Sequence, residues 1–206
     1  MRAVGVNSYG GPEALEVVEL PEEQAGPGEV RLRVLAAAVN PTDTLARNGS
    51  RVETQKMDPF PYVPGMDAAG VVDQVGSEVT TGVSVGDAVM AMVVPRGAHG
   101  AYREKIVLQG SSVVPAPTGF SHAQVCTLPM NGLTATLSLD LLGLEPGQVL
   151  AVTGGAGAYG GYMIELGKAA GLTVISDSSK SDISLVKELG ADIVVPRGDD
   201  FAEKVR

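Results

Sequence analysis

What the chain has little of bounds it first. Its 206 residues include one cysteine, Cys126, which excludes internal disulfides and any zinc site built from several thiolates. Tryptophan is absent, and His99 and His122 are the only histidines. A lone, unclustered histidine is more often a surface or core residue than a ligand, so no metal is expected. Basic residues are scarce too: 15 Lys and Arg stand against 24 Asp and Glu, a formal charge of −9. Neither half of the chain gathers them into a cluster, so nucleic-acid binding loses its main source of affinity. A basic membrane-binding face is missing for the same reason. No run approaches the roughly 20 apolar residues of a membrane span. The chain begins Met1-Arg2-Ala3 and meets Gly10, Gly11, Pro12 and Glu13 before any long apolar run, which does not read as a secretory leader. A cytoplasmic protein is expected. Residues 106–139 carry no formal charge but are broken by Pro115, Pro117 and Pro129. They predict burial, either at a joint between domains or at a self-association surface, and a homodimer is expected.

What is abundant is glycine, 27 residues, alongside 13 prolines. Up to about residue 115 the chain reads as short strands separated by turns. Val30, Leu32 and Val34 alternate with Arg31 and Arg33, a half-buried strand entered through Gly26-Pro27-Gly28. Ala3–Val6, Leu15–Leu20, Gly70–Val75, Ala88–Val94 and Tyr102–Leu108 read similarly, with linkers rich in Gly, Pro and Asp, as in an antiparallel barrel or sandwich. After Thr118-Gly119 the rhythm changes. His122–Thr127 and Gly132–Leu142 suit helices. Val149–Val152, Leu172–Ile175 and Ile193–Val195 read as strands alternating with helices around Tyr162–Ala169 and Ile183–Leu189. Such alternation implies a parallel α/β sheet. The expected domains are 1–120 and 121–206.

Between the first of those strands and the following helix lies Gly155-x-Gly157-x-x-Gly160. The first glycine permits a tight turn, the second lets backbone approach a pyrophosphate, and the third allows close helix–strand contact. Alone the motif is weak, since methyltransferases and plain glycine turns produce it. Here a strand precedes it, a helix follows, and the second strand ends at Asp177, which together point to a dinucleotide. Ala158 and Tyr159 open the helix beside the phosphates. Asp177 would bind a ribose 2′-hydroxyl, favouring NADH. Ser178, Ser179 and Lys180, with Arg197 after the third strand, suit a 2′-phosphate, favouring NADPH. The alternative is that Asp177 and the serines cap the next helix. Sequence leaves these open.

Further motifs carry a resemblance. Ala38-Val39-Asn40-Pro41-Thr42-Asp43 with Arg47 and Gly49, Pro64-Gly65-Met66-Asp67-Ala68-Ala69-Gly70, Val85-Gly86-Asp87-Ala88-Val89, Gly100-Ala101-Tyr102, Gly132-Leu133-Thr134-Ala135 and Lys187-Glu188-Leu189-Gly190-Ala191-Asp192 follow one another with the glycine cluster in between. In this order they resemble the zinc-independent quinone oxidoreductase (zeta-crystallin-like) branch of the medium-chain dehydrogenase/reductase superfamily. The resemblance implies a GroES-like N-terminal barrel domain followed by a Rossmann doubly wound sheet. It also implies transfer of hydride from NADPH, with NADH as the alternative, to a small-molecule quinone or α,β-unsaturated carbonyl. Asn40 and Met66 stand where the zinc-dependent relatives carry a Cys and a His that bind catalytic zinc, and neither is a plausible zinc ligand. Asn40 would contact nicotinamide or substrate, or else serve as a turn residue before Pro41. Thr134 would approach the nicotinamide, or else be an ordinary helix hydroxyl. Asp43 and Asp67 would mainly order neighbouring donors. Leu45 replaces a tyrosine of the branch, leaving Tyr62, or a water, as proton donor. Tyr159 replaces a usual valine and would pack under the glycine loop or narrow the nicotinamide pocket.

Rival readings are an enoyl or enone reductase of a biosynthetic pathway, and a cofactor-binding sensor or interaction protein without catalysis. Length adds one more expectation. Only three strands follow residue 148, whereas a full dinucleotide domain has about six. The chain is therefore expected to hold only the first half of that domain and to be a piece of a longer protein.

Overall fold

The computed structural model describes residues 1–50 and 61–206. It divides into two compact units, Met1–Met130 and Asn131–Arg206. The first carries β1 (Arg2–Gly5), β2 (Glu16–Glu19), β3 (Glu29–Ala36), α1 (Pro41–Arg47), β4 (Asp67–Val75), β5 (Ala88–Met92), β6 (Lys105–Gln109), β7 (Val113–Pro115) and α2 (His122–Val125). A further helix, α3 (Pro129–Leu142), starts in the first unit and runs into the second. The division falls beyond residue 120, and packing explains why. Val125 and Cys126 are buried against Ala69 of β4, so residues 121–130 side with the strands before them.

Alternation builds the first core. In β3, Val30 and Leu32 are fully buried while Arg31 and Arg33 point away. They pack with Val72 of β4, Val89 and Ala91 of β5, and Ile106 and Leu108 of β6. The sheet is antiparallel and five-stranded, in the order β6-β3-β4-β5-β7. Its β3–β4 ladder slips register at Arg31/Leu32 and Val34/Ala36, irregularities of the bulge kind that curve a sheet toward a barrel. Gly70 sits in that ladder, where a Cβ would run into the Arg33 carbonyl. Arg31 Nε donates to Asp73 Oδ1 at 2.7 Å across the outer face. The expected strand Tyr102–Leu108 is split between two partners. Lys105–Gln109 joins β3, whereas Tyr102 accepts the Val4 N–H and the Glu104 N–H bonds Arg2, extending the β1–β2 pair.

The second unit has β8 (Val149–Val152), α4 (Ala158–Ala169), β9 (Thr173–Ser178), α5 (Ile183–Glu188), β10 (Ile193–Pro196) and α6 (Phe201–Lys204). Its strands are parallel and ordered β10-β9-β8. This is the 3-2-1 order of the first half of a doubly wound sheet. Helix α4 turns Gly160, Gly161, Met163, Ile164 and Gly167 inward. A Cβ on Gly167 would meet Leu150 at 2.8 Å and Val174 at 3.3 Å, so the missing side chain sets how closely helix and strands approach.

These cores account for only part of the uncharged stretch, since Val114, Phe120, Leu133 and Leu137 in it are exposed. Ile106, Leu108, Val113 and Val125 are buried in the first unit and Ala135 in the second. Among the described residues, no helix is long and apolar enough to cross a membrane.

Leu32→Ala is expected to cost about 2–5 kcal/mol of stability through the cavity it leaves. Arg33→Ala, on the outer face, should stay within about 0.5 kcal/mol. Urea midpoints of the two variants against the parent protein measure both.

Candidate active site and dinucleotide turn

In the first unit the candidate residues form a buried polar network around two carboxylates. The chain leaves β3, and Asn40 adopts an extended conformation immediately before α1. Pro41 opens the helix, where its missing N–H costs nothing and its fixed φ already fits. Asp43, three residues on, accepts the Asn40 backbone N–H on Oδ2 at 2.8 Å. Its Oδ1 accepts the Gly65 N–H at 2.9 Å, so one side chain fixes both the helix start and the loop before β4.

Asp67, the first residue of β4, is completely buried. The Asn40 side-chain Nδ2 donates to its Oδ2 at 2.6 Å, and the Met130 N–H donates to its Oδ1 at 2.6 Å. Burial pushes the Asp67 carboxyl above its ordinary range. The two donors pull it back down, and the nearby charge of Asp43 adds a smaller push upward. Both carboxylates thus order donors, as the sequence suggested, and Asn40 has its amide orientation set from behind by Asp67.

Two tyrosines flank the network. Tyr102, which the sequence reading did not single out, donates near Asp43 Oδ2 (3.3 Å) and the Ala38 carbonyl (3.2 Å). Burial, followed by Asp43, pushes its phenol well above the usual tyrosine value. Its only sequence signal was its place in Gly100-Ala101-Tyr102. Tyr62 is 1% exposed and packs with Val6 and Ala46. Burial first, then the charge of Asp43, raises its phenol to about 12. The structure therefore puts Tyr62 in the core rather than on a surface. Thr42 Oγ1 meets the Met66 thioether at 3.1 Å. Thr134, in α3, is exposed and belongs to the second unit. Among the described residues, no group of three or more His, Cys, Asp or Glu side chains could hold a metal ion.

In the second unit the glycine cluster turns between β8 and α4. Gly154 has φ +74°, a left-handed conformation that favours glycine. A Cβ on Gly155 would strike Ser176 Oγ of the neighbouring strand, and one on Gly160 would strike the Gly154 carbonyl. The close packing of turn, strand and helix thus needs both bare backbones. Gly157 precedes α4 without a side-chain cap, and the helix opens with Ala158 and Tyr159, both exposed. The Tyr159 hydroxyl donates to Ser138 Oγ at 2.9 Å, so this side chain ties α4 to α3 instead of packing beneath the loop.

Asp177 lies at the end of β9, where the sequence put it, but its carboxylate faces the turn. It accepts the Gly154 N–H at 2.6 Å and the Thr153 hydroxyl at 3.2 Å. The next residue, Ser178, is buried, and its Oγ has no hydrogen-bond partner. Arg197 donates its backbone N–H to the Ser178 carbonyl at 3.0 Å and keeps its guanidinium half exposed. Lys180 is exposed, and Ser179 bonds Ser181 and Asp182. These residues fit an NAD(P)H molecule. The bare backbones at Gly155 and Gly160 and the uncapped start of α4 are compatible with a pyrophosphate, which favours close backbone and helix N–H groups.

The chain is similar to several known proteins. The Alcohol dehydrogenase GroES-like domain matches residues 26–118. A chloroplastic quinone oxidoreductase, QR1, of Triphysaria versicolor is 34% identical over 202 residues, covering 95% of this chain and 60% of that protein. A trans-enoyl reductase, tazE, of Aspergillus terreus is 31% identical over 215 residues, covering 95% of this chain and 68% of that protein. Mycobacterial Rv1454c, solved in complex with NADPH, superposes with a TM-score of 0.84 at 31% identity, over 100% of this chain and 62% of its own. The chain belongs to the medium-chain dehydrogenase/reductase superfamily, in its zinc-independent quinone oxidoreductase branch. It spans between half and about two thirds of the length of the curated relatives it matches.

Asp67 gives this network a pH signature. A carboxyl raised on folding adds stability below its unfolded value, ordinarily 3.8, and loses it as pH rises through the folded value. Asp67→Asn removes that titration. Relative to the variant, the parent protein is therefore expected to lose stability between about pH 4 and about pH 7. Urea midpoints at the two pH values measure the change, and a difference that grows with pH would contradict the assignment.

Proposed function

We propose that the protein reduces a quinone or an α,β-unsaturated carbonyl with NADPH and without a metal. The dinucleotide turn between β8 and α4 carries this reading. Bound NADPH would supply the hydride, so the protein's own work is to hold and orient. In that role the glycine turn and the first N–H groups of α4 receive the pyrophosphate. Of Ser178, Ser179, Lys180 and Arg197, the exposed Lys180 and the half-exposed Arg197 would receive the 2′-phosphate, since the Ser178 hydroxyl is buried. The exposed Lys180 and the half-exposed Arg197 guanidinium support NADPH over NADH.

Asn40 would meet the nicotinamide or the substrate with an amide whose orientation Asp67 holds at 2.6 Å. A donor fixed in advance stabilises charge growing on a carbonyl oxygen without reorganising during the reaction. The metal-free reading is supported by the side chains present. Asn40 is engaged with Asp67, and the Met66 thioether accepts from Thr42, so neither position offers the thiolate or imidazole that zinc prefers. Thr134 stays a candidate for the nicotinamide side. For proton donation, Tyr62 would have to be uncovered, because its ring is 1% exposed and packed with Val6 and Ala46, which leaves a water as the more accessible donor.

A trans-enoyl reductase among the relatives favours a second substrate class, an enoyl group conjugated to a carbonyl. The chemistry is the same hydride delivery to an electron-poor carbon.

Purified protein with a metal chelator present is expected to oxidise NADPH when given a simple benzoquinone or an enone. Absence of turnover with every quinone and enone tried, or its disappearance on chelation, would sink the proposal. Cofactor choice is checked separately. Lys180→Ala combined with Arg197→Ala should lower the NADPH-to-NADH ratio of kcat/KM about tenfold or more, as the loss of charge-assisted bonds to a phosphate requires. An unchanged ratio would remove these residues from the 2′-phosphate site.

A further inference from the structure

Asp177 stands where an acid would be expected to bind the cofactor's ribose, yet its geometry describes something else. Its side chain is 3% exposed. Oδ1 accepts the Gly154 N–H at 2.6 Å and Oδ2 accepts the Thr153 hydroxyl at 3.2 Å, with Arg197 Nε 3.9 Å from the same oxygen. An acid that reads a ribose hydroxyl must present an oxygen at the surface of the site. Both oxygens here are directed inward at the turn.

The residue they hold is the one on which the turn depends. Gly154 adopts the left-handed conformation, its carbonyl accepts the Gly157 N–H at 2.9 Å, and the same carbonyl lies against Gly160 in the first turn of α4. A chain of contacts therefore runs from the Asp177 carboxylate through Gly154 to the backbone that opens α4.

We propose that Asp177 is a positioning residue for the dinucleotide turn and makes no contact with the ribose, so that reading of the 2′ position passes to the residues after it. The inference rests on the dinucleotide-binding part of the proposed function. It has a specific consequence. The pyrophosphate is common to NADPH and NADH, so disturbing Asp177 must weaken both alike. A ribose-binding acid would instead matter most for NADH, whose 2′-hydroxyl it would grip.

The test is fluorescence titration of the purified protein with NADPH and with NADH, paired with amide hydrogen exchange of Gly154 followed by NMR. Asp177→Ala is expected to raise both dissociation constants about tenfold, the scale of one buried charge-assisted hydrogen bond. Their ratio should stay within about threefold, and Gly154 exchange should accelerate about tenfold or more, as its N–H loses the carboxylate. Asp177→Asn keeps an oxygen for the Gly154 N–H and should leave both affinities within about threefold of the parent protein. A loss of NADH affinity about tenfold greater than that of NADPH, in either variant, overturns the proposal. So does unchanged Gly154 exchange in Asp177→Ala. If Asp177→Ala does not fold, Asp177→Asn decides by the same ratio: parallel affinities support the assignment, and a selective loss of NADH overturns it. Parent protein that binds neither dinucleotide refutes the reductase reading. Gly154 exchange then still decides on Asp177, faster in the alanine variant for the assignment and unchanged against it.

Discussion

A carboxylate taken out of water must be met by hydrogen-bond donors, and each unit of this chain is arranged around one that is. In the first unit it is Asp67, held by the Asn40 side chain and the Met130 N–H. In the second it is Asp177, held by the Gly154 N–H and the Thr153 hydroxyl. The cost of leaving such a group unpaired is several kcal/mol, so the donors are fixed as firmly as the acids. Each acid thereby gives a loop one geometry. Asp67 orders the segment between β3 and α1, and Asp177 orders the turn between β8 and α4.

That constraint bears on the proposed function, because hydride transfer would depend on groups held in one orientation. The proposed reductase would leave the bond-making chemistry to its cofactor and depend on position. An amide free to flip would present donor and acceptor interchangeably, whereas the Asn40 amide has its nitrogen end committed to Asp67. A glycine turn free to move would receive a pyrophosphate poorly. Here its left-handed residue is the one pinned by the carboxylate. The tyrosines add to the same picture. Buried beside Asp43, Tyr62 and Tyr102 stay protonated far above neutral pH, so the network carries no extra negative charge.

The fold was legible wherever periodicity carried it. The alternation of Val30 and Leu32 with Arg31 and Arg33 marked β3, and the strand–helix rhythm after residue 148 marked the parallel sheet. Boundaries set by packing were not legible. Residues 121–130 look like the start of a helical domain in sequence but pack on β4 through Val125 and Cys126. For the candidate site residues, sequence offers type and position in the chain but not the direction of the side chain. Spacing located Asp177 at the strand end, yet nothing in the sequence says that its oxygens turn toward Gly154. Likewise Tyr62 lies near Asn40 in sequence, but its backbone pairs with Val6, which draws the ring into the core. Tyr102 escaped notice because its meeting with Asp43 spans 59 residues of chain.

If the two ordered loops belong to an enzyme that passes hydride to an electron-poor carbon, the hydride itself can be followed. The most direct measurement uses NADPH deuterated at the nicotinamide carbon that gives up hydride, incubated with the protein and a simple enone. The expected result is deuterium at the β-carbon of the saturated ketone, read by NMR or mass spectrometry. Reduced product whose β-hydrogen comes entirely from solvent, or no reduced product with any enone or quinone, would contradict the account.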